Sequence, residues 1–222
     1  MALPSLDFGD LKVKLPIIQG GMGIGVSLSG LAAAVANAGG VGVIATAGIG
    51  FEEPDFKTNY TEANIRALRK HIRAAKEKSE GVLGINVMVA LTNYADIVRT
   101  AVDEGIDMIF SGAGLPMALP ELVGNAKTKI APIVSSGRAA KIICQKWLKK
   151  HDRLPDAVVV EGPMAGGHLG FKADQVEDKN FRLENIVPEV IEAVRPFEEK
   201  AGRPIPVIAA GGVYEGKDIY KY

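Results

Sequence analysis

"AVVVEGPMAGGHLGF", residues 157–171, runs an unbroken apolar stretch into a collar of glycines that holds one histidine. Val158, Val159 and Val160 show no polar alternation. That marks a strand buried on both faces, as strands of parallel sheets are. Gly162, Gly166, Gly167 and Gly170 follow, with His168 among them. Glycine at a strand end lets a ligand come close to the backbone. Imidazole is the side chain suited to proton exchange near neutral pH.

The same form recurs along the chain: "LPIIQGG" (15–21), "GVGVIATAG" (40–48), "GVLGINVM" (81–88), "DMIFSGAG" (107–114), "IAPIVSS" (130–136) and "IPVIAAGG" (205–212). With 157–162 these make seven strand candidates. Between them lie helical patterns. "SLSGLAAAVANAGG" starts on Ser and stops on Gly. "NIRALRKHIRAAKEK" puts Ile65, Leu68 and Ile72 on one face. Residues 93–105, 137–151 and 185–200 read the same way. Alternation of strand and helix predicts an α/β fold with a parallel sheet. No linker divides residues 1–222, which predicts one domain.

A doubly wound open sheet and a TIM (β/α)8 barrel compete. Polar or glycine residues follow nearly every strand: Gln19, Thr46, Asn86, Ser111, Ser135, Glu161 and Gly211. An open sheet gathers such residues at its switch point, whereas a barrel gathers them at one mouth. The barrel is the expectation, here lacking its eighth strand and the C-terminal region. A missing strand leaves sheet edges open, so a homodimer or a companion C-terminal segment is expected as partner.

Composition narrows the class. The 222 residues are 47% apolar and 23% charged, with 26 basic and 26 acidic side chains. A neutral chain offers no broad field to nucleic acid or anionic membrane. One cysteine, Cys144, leaves no disulfide framework. The N-terminal residues lack a signal-peptide core, and no apolar run approaches the roughly 18 residues of a membrane span. A cytoplasmic protein is expected.

Four places carry candidate chemistry. "QGGMGIG" (19–25) is a glycine turn that misses G-x-G-x-x-G spacing and also reads as a plain tight turn. "GGVYEGKD" (211–218) matches G-x-x-x-x-G-K, but Asp218 stands where a P-loop needs Ser or Thr. A barrel phosphate cradle built on Gly211, Gly212 and the following helix start fits better. Asn86 offers an amide that can both donate and accept. His168 is the candidate catalytic residue. His71 and His151 are expected to face solvent, and Cys144 to pack in the core. No zinc spacing is present.

In order, "LPIIQGGMG", "AAAVANAGGVGVIA", "GINVM", "SGAGLP", "EGPMAGGHLG" and "IPVIAAGGV" resemble the nitronate monooxygenase (2-nitropropane dioxygenase) family, which includes the FMN-dependent enoyl-ACP reductase II. The resemblance implies a TIM barrel that binds FMN at the strand C-terminal ends. Carried over by position, it implies that Gly21, Met22 and Gly23 line the flavin and Asn86 sits near its ring. Gly166 and Gly167 would lie along the cofactor, Gly211 and Gly212 at its phosphate, and Ser135 and Glu161 at neighbouring strand ends. His168 matches the family's active-site histidine. The family's next block, a strand ending in Gly-Thr, has no counterpart here. The implied reaction is oxidation of an alkyl nitronate with O2 to a carbonyl compound and nitrite. The alternatives are an NAD(P)H-dependent reductase of enoyl thioesters or quinones, and a flavin-free module that pairs through its open edges.

Overall fold

The computed structural model describes residues 3–222. Its residues cluster into two compact units. The first holds the chain up to Gly114 and Ala118–Ile130, and the second holds Leu115–Met117 and Ala131–Tyr222.

In the first unit a hairpin, β1 (Leu6–Phe8) and β2 (Leu11–Val13), pairs antiparallel, Leu6 opposite Val13. The seven-strand reading did not include it. The stretch 15–21 forms no full strand but a single parallel bridge, Ile18 to Val41. Then come α1 (Ser29–Asn37), β3 (Gly42–Ala45), α2 (Tyr60–Lys78), β4 (Leu83–Met88), α3 (Tyr94–Asp103), β5 (Met108–Gly112) and α4 (Leu119–Val123). β3, β4 and β5 are parallel neighbours in chain order. Their register aligns Ile44, Ile85 and Ile109, none of them exposed. Helix α1 packs against β3 so closely that Gly42 has no room for a side chain. A Cβ there would overlap the Ala32 carbonyl, 2.6 Å from its carbon.

β6 (Lys129–Val134) runs across the boundary at Ile130. The second unit continues with α5 (Gly137–His151), β7 (Val158–Glu161), α6 (Ala173–Val176), a 3-10 turn at Lys179–Phe181, α7 (Leu183–Ala201), β8 (Val207–Ala210) and α8 (Gly216–Lys221). β6, β7 and β8 pair in parallel, Val158 opposite Val207 and Glu161 opposite Ala210. Ser136 caps α5 by accepting from the Ala139 N–H, so the apolar period begins where the sequence places it. Trp147 is fully buried and donates its indole N–H to Pro116 O at 3.1 Å. Cys144 is buried on the same face, and burial pushes its thiol up to about 12, which suits packing rather than nucleophilic chemistry.

Two histidine expectations are corrected. His71 is half-buried, with Nδ1 3.2 Å from Ser29 Oγ, and burial pulls its pKa down. The Nε2 of His151 is buried without a hydrogen-bond partner. The His71 ring meets a residue of α1, which an amphipathic reading of α2 alone could not foresee. No helix of the described residues is long and apolar enough to cross a membrane.

Candidate functional site

Each unit presents its candidate residues at or near the C-terminal ends of its own parallel strands. In the first unit the turn Gly20–Gly23 follows the bridge at Ile18. Its conformation is set by residues the glycine pattern does not reveal. Ser27 is fully buried. Its hydroxyl accepts from Gln19 Nε2 at 2.9 Å and from the Met22 N–H at 3.1 Å, and donates to Gly20 O at 3.2 Å. Gln19 also bridges both backbone groups of Val43.

Gly21 lies directly on Asn86. A Cβ at Gly21 would stand 2.6 Å from the Asn86 Cγ. Asn86 is not at the end of its strand, as the sequence suggested, but third from the end of β4, half-buried and opposite Ala45. Its backbone carbonyl accepts from both the N–H and the hydroxyl of Thr46. Its side-chain amide has no hydrogen bond among the described residues. Met22, Ile24, Val26 and Phe51 leave apolar surface exposed around the turn, 46%, 60%, 54% and 41% of each residue. Nearby, the Tyr94 phenol meets Ser111 Oγ at 3.0 Å, and burial pushes it up to about 12, so it stays neutral.

In the second unit, β7 ends on Glu161. It is half-buried, forms no ion pair among the described residues, and is pushed above the usual carboxylate range by burial. This raised pKa favours the neutral form in the folded state. Its stabilising share is therefore complete below the ordinary glutamate range and is lost as pH rises through the folded-state pKa. Glu161→Gln should melt higher than the parent at about pH 8 and equal to it at about pH 4, read by thermal denaturation at both values. An equal melting temperature at the higher pH would show that the carboxyl carries no burial cost.

The loop after β7 is anchored at both ends. Gly162 N donates to Ala210 O at 2.8 Å. Further on, Ser135 Oγ donates to Gly170 O at 3.2 Å, and a Cβ at Gly170 would reach 2.6 Å from that hydroxyl. Gly166, Gly167 and His168 are exposed between these anchors. A Cβ at Gly166 or Gly167 would meet nothing within 4 Å, so the space beside them is open, and Gly167 has φ +87°.

Gly211, at φ +84°, closes on this loop. A Cβ there would fall 2.8 Å from Ala165 Cβ and 2.9 Å from Gly162 O. Gly212 follows at φ +99° beside Met164. The phosphate-cradle expectation needs one correction. The Tyr214 and Glu215 N–H groups at the start of α8 both donate to the Asp218 carboxylate at 3.0 Å. Those bonds hold Asp218 below the usual carboxylate range. The Tyr214 and Glu215 N–H groups are therefore occupied by the helix's own acidic residue, while Gly211 and Gly212 keep their place as candidate donors. The same contacts explain why the G-x-x-x-x-G-K match is not a P-loop.

The structure thus joins Gly21 to Asn86, Ser135 to the His168 loop, and Gly211 and Gly212 to that loop's first residues. Two further grooves lie elsewhere. One of about 350 Å³ is lined by Leu148, Arg153, Lys200 and Arg203, and one of about 410 Å³ by Asp10, Asp107, Lys127 and Lys129.

A sequence model described as nitronate monooxygenase matches residues 6–221. A (3aS,4S,5R,7aS)-5-hydroxy-7a-methyl-1-oxo-octahydro-1H-indene-4-carboxyl-CoA dehydrogenase of Mycobacterium tuberculosis is 27% identical, over 94% of this chain and 48% of its own. A probable nitronate monooxygenase of Staphylococcus saprophyticus is 23% identical, over 99% of this chain and 64% of its own. Among solved structures, FabK from Thermotoga maritima superposes with a TM-score of 0.70 at 27% identity, over 93% of this chain and 54% of that one. The chain spans about half the length of the dehydrogenase and FabK.

Proposed function

The chain belongs to the nitronate monooxygenase family, and from that premise we propose that it is the flavin-binding part of an FMN-dependent oxidoreductase that oxidises alkyl nitronates. The observation that carries this reading is the loop 162–170. Its exposed glycines leave open space beside His168, and its ends are fixed by Ser135 and by β8.

The residues present fit a flavin. Gly211 and Gly212 offer backbone donors to the phosphate, and Gly166 and Gly167 a bare stretch for the cofactor body. In the first unit Gly21, Met22, Gly23 and Asn86 offer backbone groups and an unpartnered amide suited to a heteroaromatic edge. Bound FMN would supply the redox chemistry, exchanging electrons with the electron-rich nitronate and with O2, so that a carbonyl compound and nitrite leave. His168 would donate a hydrogen bond to the nitro oxygens, or take the α-proton where the neutral nitroalkane is the substrate.

A second reading is favoured by a specific observation. Exposed Met22, Ile24, Val26 and Phe51 offer more apolar surface than a small anion uses. An NAD(P)H-dependent reductase of an enoyl thioester would use it for the acyl chain. The name of the Mycobacterium tuberculosis relative, a carboxyl-CoA dehydrogenase, points to a CoA thioester as well. The flavin-loaded protein decides between the two under anaerobic conditions. Bleaching by ethyl nitronate, with nitrite released on admitting air, supports the first. Bleaching only by NADH, reversed by a 2-enoyl-CoA, supports the second.

We also propose a partner for β8. Val158 N donates to Pro206 O and Gly162 N to Ala210 O, so the backbone groups of Val207 and Ala209 point away from β7. They have no partner among the described residues, and every residue of β8 is half-exposed although all four are apolar. A strand from the further sequence that the longer relatives carry would cover this edge.

A further inference from the structure

We propose that Ser27, held in place by Gln19, is the positioning residue that fixes the Gly20–Gly23 turn as a backbone donor site for a planar ligand. This rests on the flavin reading and assigns to that site a residue that no glycine pattern marks. A glycine turn has few side chains to pack and loses much conformational freedom when it orders, so something else must hold it.

The Ser27 hydroxyl does so with its full capacity, one donated and two accepted bonds. Its own N–H donates to Met22 O at 2.9 Å, so both backbone groups of Met22 are bound to one residue. Its carbonyl accepts from Ala45 N at 2.9 Å, which ties the turn to the last residue of β3. Gly20 O, Met22 N and Met22 O are thereby engaged. The N–H groups of Gly21 and Gly23, both exposed, are left without partners among the described residues. Ser27 thus selects which amides of the turn are free to meet a ligand. Ordering them before binding removes that cost from the binding step.

The test compares Ser27→Ala with Thr128→Val in the full 222-residue chain. Thr128 is another buried hydroxyl of the same unit that donates to Ile106 O, away from the turn. Three quantities are read: FMN affinity by flavin fluorescence, melting temperature of the flavin-free protein, and hydrogen exchange of residues 19–27. Ser27→Ala should weaken FMN binding by about tenfold or more, as expected for loss of a buried hydrogen-bond hub. It should also speed exchange at 19–27, while Thr128→Val lowers the melting temperature comparably and leaves FMN affinity unchanged. Equal loss of affinity in both variants, or unchanged exchange at 19–27, overturns the proposal. If Ser27→Ala fails to fold, Gln19→Leu, which removes one accepted bond of the same hydroxyl, is held to the same pattern. Absence of FMN binding by the parent chain overturns the flavin reading itself. The exchange result then still decides whether Ser27 holds the turn.

Discussion

His168→Ala keeps its flavin and loses turnover by about 100-fold or more, the range that a positioned acid–base group contributes. The side chain is exposed on the loop between Gly162 and Gly170, and it forms no hydrogen bond with another described residue. Removing it therefore costs the fold little. What is lost is a donor beside the open space at Gly166 and Gly167. The check is kcat with ethyl nitronate, measured beside the flavin absorbance of the same sample. A variant with bound flavin and unchanged kcat would remove His168 from the chemistry. A variant that loses flavin would instead make it a cofactor contact.

The largest expected effect on stability lies in the first unit. Gly42→Ala should destabilise the protein by about 4 kcal/mol or more, or prevent its soluble expression, because neither side of the contact can yield. The added methyl would meet Ala32 backbone, 2.6 Å from the carbonyl carbon, in the middle of α1. The opposing backbone belongs to β3, paired in register with β4. Gly30→Ala is the matched control. Gly30 lies in the same helix with nothing within 4 Å of its added Cβ. It should gain about 0.5–1 kcal/mol from helix propensity. Urea unfolding of the two variants reads both. A Gly42→Ala protein as stable as the parent would mean that α1 does not sit on β3 as described.

Much of this was legible because parallel strands leave a strong local signal. Five of the seven apolar runs contain a whole strand of the parallel sheet, a sixth misses only the first residue of β6, and 137–151 is α5 residue for residue. The alternation expected of a barrel-type α/β chain is what each unit shows. The N-terminal hairpin was missed although "LDFGDLKV" alternates about a Gly-Asp turn, because three-residue strands are weak against an apolar background. The run 15–21 was read too strongly, since only Ile18 bridges Val41.

The site divided along the same line. Glycines announced the turns at 20–23, 166–167 and 211–212: close approach demands them at Gly21 and Gly211, and positive φ at Gly167, Gly211 and Gly212. Ser27 was silent, and Gln19 showed only as one polar strand-end residue among several. Their significance lies in bonds to residues that the fold, not the local sequence, brings to them. The helix start after Gly212 misled for the same reason. It reads as part of a phosphate cradle, and only the structure reveals that Asp218 takes its Tyr214 and Glu215 N–H groups.

The most direct test of the flavoprotein reading is the visible spectrum of the purified chain after incubation with FMN and removal of the excess. The account predicts a bound flavin with perturbed absorption bands, at a stoichiometry that falls in Ser27→Ala. A chain that retains no flavin after gel filtration would contradict it.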